Sequence, residues 1–237
     1  QYTGLLLAIA LLVIYYRKLF HYFDLKESLH LEDMKAFFKL NGNLFVRSLC
    51  FMCIYSGFTA LAAGYGDVQL AVSSIMMKLL MLFSYFIDGF AYAGEALTGK
   101  YIGANNRPAL HQMIHQLFVW GIGLSLAFTL MYGLGGEDFL KLLTNETSVI
   151  AASSTYFYWV LAIPLAGFAA FLYDGIFIGA TATHLMRRAM AIASGSFFLI
   201  YFGCREAIGN HALWLAFIAY LTLRGIVQGI LGRKILR

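Results

Sequence analysis

Long apolar windows separated by short polar or glycine-bearing breaks run the length of the chain, and this alternation narrows the possible folds more than any motif does. The windows lie at about 1–16, 44–63, 70–99, 112–134, 148–179, 186–203 and 212–232. The breaks read "GYGDVQ", "GANNRPALH", "GLGGEDFLKLLTNET", "ATATHLMRR" and "GCREAIGNH", with a longer segment, 17–43, after the first window. A helix rising 1.5 Å per residue needs about 20 apolar residues to cross a hydrocarbon core of roughly 30 Å. In lipid each crossing segment must satisfy its own backbone hydrogen bonds, so apolar windows of this length read as helices. Only 12% of the 237 residues are charged and 61% are hydrophobic, whereas soluble domains carry about 25% charged residues. The expected fold class is all-α: a polytopic membrane protein of about seven transmembrane helices, with the lipid bilayer as its solvent.

Lys and Arg are unevenly divided between the two sets of connections. Segments 17–43, 100–111, 181–188 and 233–237 hold 12 of the 17 cations, whereas 64–69, 135–147 and 204–211 hold only Lys141 and Arg205 beside five acids. Short cytoplasmic connections carry the Lys and Arg excess. The first set is therefore expected on the cytoplasmic side, with the C-terminus. The net charge of +5 is explained by this bias. The cations form no continuous stripe, so a nucleic-acid partner is not expected.

The chain opens on "QYTGLLLAIALLVIYY", already apolar, and reads as a fragment entered inside a helix. In segment 17–43, Leu31, Met34, Phe37, Phe38 and Leu40 alternate with Glu32, Asp33, Lys35 and Lys39, a pattern that fits a short amphipathic helix on the interface or a solvated connector. Cys50 and Cys53 form a C-x-x-C inside an apolar window without the strand and turn of a redox site, so they read as buried structural thiols. His111 and His115 lie one turn apart with no third ligand at suitable spacing, so no metal site is expected. The chain has no G-x-S-x-G, H-E-x-x-H or phosphate-binding loop, and no catalytic residue or cofactor is assigned.

Charge inside the apolar windows needs its own explanation. At 100° per residue Ser74, Lys78, Met81, Tyr85, Asp88, Tyr92, Glu95 and Gly99 fall on one face of the 70–99 helix. Pointing such a stripe at lipid costs about 2.5–3.5 kcal/mol per charge at mid-membrane on insertion scales, so it should line a bundle interior or an aqueous cavity. Asp88 and Glu95 are two turns apart, about 10.5 Å, too far to share a proton directly. A cation on a facing helix, such as Arg224 or Arg47, would stabilise them as anions. They read either as interhelical ion pairs that fix packing or as groups handling ion or substrate. Asp174 repeats the Asp-Gly pair of Asp88, and Pro164, ten residues before it, removes a backbone donor and should kink the 148–179 helix. That combination suits a gating element or a static bundle with a capped helix end. Three G-x-x-x-G pairs, Gly99 with Gly103, Gly175 with Gly179 and Gly225 with Gly229, allow close helix approach.

The stretches "FIDGFAYAGEALTGKYIGANNRPAL" and "LYDGIFIGATATHLMRRAM", with "NGNLFVRSLCF" opening the 44–63 window, resemble the multidrug and toxic compound extrusion (MATE) family, in particular its DinF-like branch. The resemblance spans nearly the whole chain. It implies a twelve-helix antiporter of two six-helix lobes around a central cavity. Residues 1–16 would then be the last helix of a truncated N-terminal lobe, 17–43 the cytoplasmic interlobe connector, and 44–237 the C-terminal lobe. The implied function is efflux of organic cations, drugs or toxic compounds in exchange for H⁺ or Na⁺ by alternating access, in a bacterial inner membrane. The implied partners are a small-molecule substrate and the missing N-terminal lobe. Asp88, Glu95 and Asp174 would carry charge and water inside the lobe, with Lys78, Tyr85 and Tyr92 positioning them. Another branch of the family carries a glutamate in the helix equivalent to 44–63, where this chain has no acid. The coupling aspartate of the DinF-like branch falls in the first helix of the absent lobe. Two other readings stand beside this one. A lipid-linked oligosaccharide flippase of the same superfamily would need a strongly cationic cavity, whereas three intramembrane cations here face three acids. A non-transporting membrane scaffold subunit would use the acids for packing alone.

Overall fold

A computed structural model describes residues 2–16 and 31–236. Among these residues every regular element is an α-helix: α1 (Tyr2–Tyr16), α2 (Leu31–Ala63), α3 (Asp67–Gly103), α4 (Arg107–Leu143), α5 (Thr147–Gly179), α6 (Thr183–Ile208) and α7 (His211–Leu236). Six of them, α2 to α7, are long and apolar enough to cross a membrane, and α1 is apolar but shorter. The chain is a multi-pass membrane protein. The helices form two compact units, residues 1–42 and 43–237.

Two expected breaks are helical. Residues 31–43 continue without interruption into the second window as α2. Asn41 turns its side chain back to the Phe37 carbonyl at 2.9 Å, and a single glycine such as Gly42 weakens a helix by only about 1 kcal/mol. Residues 17–30 of the expected connector lie outside the described residues. The second case is "GLGGEDFLKLL", expected as loop, where α4 runs on to Leu143. Here the Phe139 ring covers Gly135, and Phe157 of α5 lies against Gly136. Tyr132 and Phe139 pack edge to face at 5.7 Å between ring centres. Aromatic packing outweighs the local glycine penalty. The expectation of buried thiols also needs correcting: Cys53 is exposed and Cys50 half-buried on α2, and both are free. The buried face of that helix is taken instead by Ile54, Phe58 and Ala62.

In the 43–237 unit α5 is the hub. Its crossing with α3 is backbone to backbone: a Cβ on Gly175 would lie 2.0 Å from the Ala91 carbonyl oxygen, and one on Gly179 would lie 2.2 Å from that of Glu95. Gly99 faces the Gly179 carbonyl in turn, whereas Gly103 has open space around it. On another side of α5, Gly225 meets Ala169 and Ala170, and Gly229 meets Tyr173. The helix α2 contributes large side chains instead: Phe58 packs edge to face on Trp214 at 5.0 Å and against Phe217 at 5.3 Å. Pro164 is buried inside α5 without ending it. The two crossings fix what faces what around residue 174.

The helices α3 and α5 end in the same way. In the first turn Asn106 N donates to Tyr101 O and Asn105 N to Ile102 O; in the second Ala182 N donates to Phe177 O and Thr181 N to Ile178 O. This is the Schellman pattern, with one residue in the left-handed region. That residue is Asn105 (φ 52) in one turn and Thr181 (φ 54) in the other. Asn tolerates this conformation, whereas a β-branched residue is strained there. Thr181 is exposed and its side chain makes no hydrogen bond among the described residues. Thr181→Asn is therefore expected to raise stability by about 0.5–1 kcal/mol. An upward shift in the melting temperature of the detergent-solubilised full-length parent would show it.

Candidate functional site

The network around Asp174 starts from a helical spacing. Arg224 and Gln228 are four residues apart on α7, so both reach the same patch of α5. The glycines Gly225 and Gly229 bring α7 close enough for them to do so. Gln228 Nε2 donates to Asp174 Oδ1 at 2.6 Å. Arg224 donates through Nη2 to Oδ2 of the same carboxylate. From α2, Arg47 Nη2 reaches that Oδ2 at 2.5 Å. Asp174 and Arg224 are 6% and 1% exposed, while Arg47 is only partly covered. The Arg224 guanidinium also lies over the Phe171 ring, 5.6 Å from its centre.

One carboxylate thus answers two guanidiniums, and its two oxygens take three donors. Removing two charges from water is expensive, and their attraction repays it only where the remaining polar atoms are hydrogen-bonded. Both carboxylate oxygens meet that condition, whereas Nε and Nη1 of Arg224, Nε of Arg47 and Oε1 of Gln228 are buried without a hydrogen-bond partner among the described residues. Asp174 therefore ties α2, α5 and α7 together.

Asp88 lies beside this network. It is half-buried on α3 and shares a cleft of about 390 Å³ with Arg47, Tyr55, Tyr85, Phe171 and Arg224. It forms no ion pair within 4 Å among the described residues, though Asp174, Arg47 and Arg224 are within electrostatic range. The two acids are therefore in different situations. Asp174 is held by three donors, and Asp88 has no ion-pair partner among the described residues.

The other residues singled out in the sequence are spread along α3. Glu95 is half-buried, and its backbone lies at the α5 crossing. Tyr85 and Tyr92 are 74% and 69% exposed, and Lys78 is exposed as well. The polar stripe points away from the core of this lobe because the opposite face, with Leu80, Phe83, Ile87, Ala91, Gly94 and Thr98, is the buried one. The side chains that hold Asp174 are thus Arg47, Arg224 and Gln228, not Tyr85, Tyr92 or Lys78. Sequence reading raised the two arginines only as possible partners of the α3 acids and missed Gln228. The signal for it was the i, i+4 step from Arg224, interleaved with the Gly225 and Gly229 pair. Among the described residues no group of three or more His, Cys, Asp or Glu could hold a metal ion. His111 instead bonds through Nδ1 with the Arg107 carbonyl at 2.9 Å.

Comparison with known proteins agrees with this architecture. The family profile described as MatE matches residues 44–202. The chain is 35% identical to "DNA damage-inducible protein F" of Escherichia coli (strain K12) over 209 residues, 85% of this chain and 44% of that protein. It is 22% identical to "Uncharacterized transporter YisQ" of Bacillus subtilis (strain 168), over 93% of this chain and 50% of that protein. It is also 22% identical to "Protein DETOXIFICATION 44, chloroplastic" of Arabidopsis thaliana, over 79% of this chain and 36% of that protein. The chain spans about half the length, or less, of the curated relatives it matches. With the family profile matching residues 44–202 and the DNA damage-inducible protein F match covering 85% of the chain at 35% identity, the chain belongs to the MatE family of membrane proteins and is DinF-like within it.

Proposed function

We propose that this chain is the C-terminal lobe, with the preceding helix and connector, of a secondary active efflux antiporter. It would export organic cations, drugs or other toxic compounds in exchange for H⁺ or Na⁺ by alternating access. The chain is a transporter component and not an enzyme. The observation that carries the reading is the pairing of a committed acid with an available one. Asp174 neutralises buried arginine, while Asp88 faces the cleft with no ion pair of its own among the described residues. An intramembrane acid without a fixed partner is costly and marks ion or substrate handling by default. The relatives named for a transporter and for detoxification support the class. The bias of Lys and Arg supports a cytoplasmic C-terminus in a bacterial inner membrane. The missing N-terminal lobe would close the cleft and supply a further coupling acid.

Asp88→Asn in the full-length parent tests this. At matched membrane levels it is expected to lower drug resistance conferred on a susceptible host by about tenfold or more, in line with the loss of an interaction made only during transport. Unchanged resistance would remove Asp88 from the mechanism. Loss of the protein from the membrane, with resistance intact wherever protein survives, would instead favour the scaffold reading.

A further inference from the structure

We propose that the groove between α2 and α3 binds an amphipathic small molecule carrying an acidic group, with its anion on Lys78. This rests on the transporter reading and narrows the substrate class, since organic cations alone would have no use for the arrangement. The groove has a volume of about 680 Å³, and its lining includes Tyr55, Phe58, Ser73, Met77, Lys78 and Met81. That volume falls within the roughly 300–1,000 Å³ typical of pockets for drug-sized ligands. The methionines are unbranched and adaptable, which suits an apolar body of variable shape.

Two polar groups in the groove lack partners. Lys78 makes no hydrogen bond or ion pair among the described residues, although it lies well inside a membrane-spanning helix. An ammonium there is costly unless it meets water, protein or ligand charge. Ser73 is 2% exposed, and its Oγ has no hydrogen-bond partner among the described residues. An unmade bond at a buried hydroxyl is a standing penalty. The neighbouring hydroxyls differ, since Ser74 and Thr59 bond back to the Leu70 and Tyr55 carbonyls at 2.8 and 3.0 Å. A carboxylate, sulfonate or phosphate would offer an anion to Lys78.

Among the described residues Lys78 is the only charged one lining this groove. The groove continues into the Asp88 cleft through Tyr55, Ser56 and Met81, which line both. Asp88 is ten residues further along α3, about 15 Å at 1.5 Å per residue. A ligand anchored on Lys78 therefore extends toward the acid proposed to exchange its cation.

The test uses the full-length parent in zwitterionic lipid nanodiscs. Equilibrium binding of 11-(dansylamino)undecanoic acid is compared with that of its uncharged methyl ester, after subtraction of the signal from empty discs. Lys78→Met is expected to weaken the acid about tenfold or more and the ester less than about twofold, while Lys78→Arg stays close to wild type. If Lys78→Met does not yield monodisperse protein, Lys78→Gln gives the same comparison. Acid binding unchanged by loss of the ammonium, or acid and ester weakened equally, would overturn the proposal. So would wild-type acid binding that falls with added phosphatidylglycerol while the Lys78→Met protein is insensitive, because the groove would then hold a lipid headgroup. Gradient-driven ethidium export by the wild-type parent is scored separately. Ethidium export without charge-selective acid binding sinks this inference alone; charge-selective binding without gradient-driven export of either ethidium or the acid sinks the transporter reading and leaves the site.

Discussion

Gly175→Ala in the full-length parent is expected to destabilise the C-terminal lobe by roughly 1–3 kcal/mol, toward the upper end of what overpacking costs, and Gly175→Leu to prevent its assembly. The reason is geometric. The added Cβ would sit 2.0 Å from the carbonyl oxygen of Ala91 and 2.7 Å from its carbonyl carbon. Both are backbone atoms, so no rotamer change can relieve the overlap and α3 must move off α5. Gly179→Ala repeats the clash one turn later, at 2.2 Å from Glu95 O. Gly103→Ala, which meets nothing within 4 Å, serves as the control. It should be neutral or slightly stabilising, because alanine is the better helix former. Thermal melting of the solubilised parent separates these outcomes. Equal tolerance of alanine at 175 and 103 would mean that the α3–α5 crossing is looser than the structure has it.

The second large effect is at Asp174. Asp174→Asn removes the only anion that the structure places against Arg224 among the described residues, and leaves that arginine, 1% exposed, charged and buried. Breaking a buried pair in this way typically costs about 3–5 kcal/mol. The single variant should therefore show less protein in the membrane and, through that loss, less ion-coupled export. Restoring charge balance by adding Arg224→Met should recover much of the lost stability, since replacing both partners of a buried pair is often neutral or favourable. Arg47→Gln should be milder than any change at Arg224, because Arg47 is partly exposed and surface-facing charges are worth less. Membrane abundance and melting temperature across these variants form a double-mutant cycle. A double variant no better than Asp174→Asn alone would assign Asp174 a role beyond neutralising arginine. Unchanged export in Asp174→Asn, at normal abundance, would deny it any part in transport.

The helices were the most legible part of the sequence, because the bilayer forces each apolar window to close its own hydrogen bonds. Their ends were less so. The extension of α4 through Gly135 and Gly136 depends on Phe139 and Phe157 packing over them, a tertiary effect that local propensity does not contain. The Gly175 and Gly179 pair was visible as spacing, but spacing alone gave the Gly99 and Gly103 pair the same weight. Only the partner helix distinguishes a glycine pressed on a carbonyl from one facing open space. The site divided in the same way. Asp88, Glu95 and Asp174 stood out as acids in apolar surroundings, and Arg47 and Arg224 as cations able to face them. Which acid met which cation depends on three helices crossing, and α7 turned out to serve Asp174. The stripe on α3 was correctly periodic, yet periodicity says that residues share a face and not what that face looks at.

The cleft beside the Asp174 network is proposed to work with Asp88 as an exchanging acid in a gradient-driven exporter. Flux in proteoliposomes measures this. The full-length parent is reconstituted with an imposed pH or Na⁺ gradient, and ethidium movement is followed for wild type and Asp88→Asn at equal protein density. Uptake or release is expected to follow the gradient in wild type and to collapse when the gradient is dissipated. In Asp88→Asn, at equal protein density, movement should be reduced at least about tenfold. Ethidium flux that ignores both gradients, or that proceeds equally well without the Asp88 carboxylate, would contradict it.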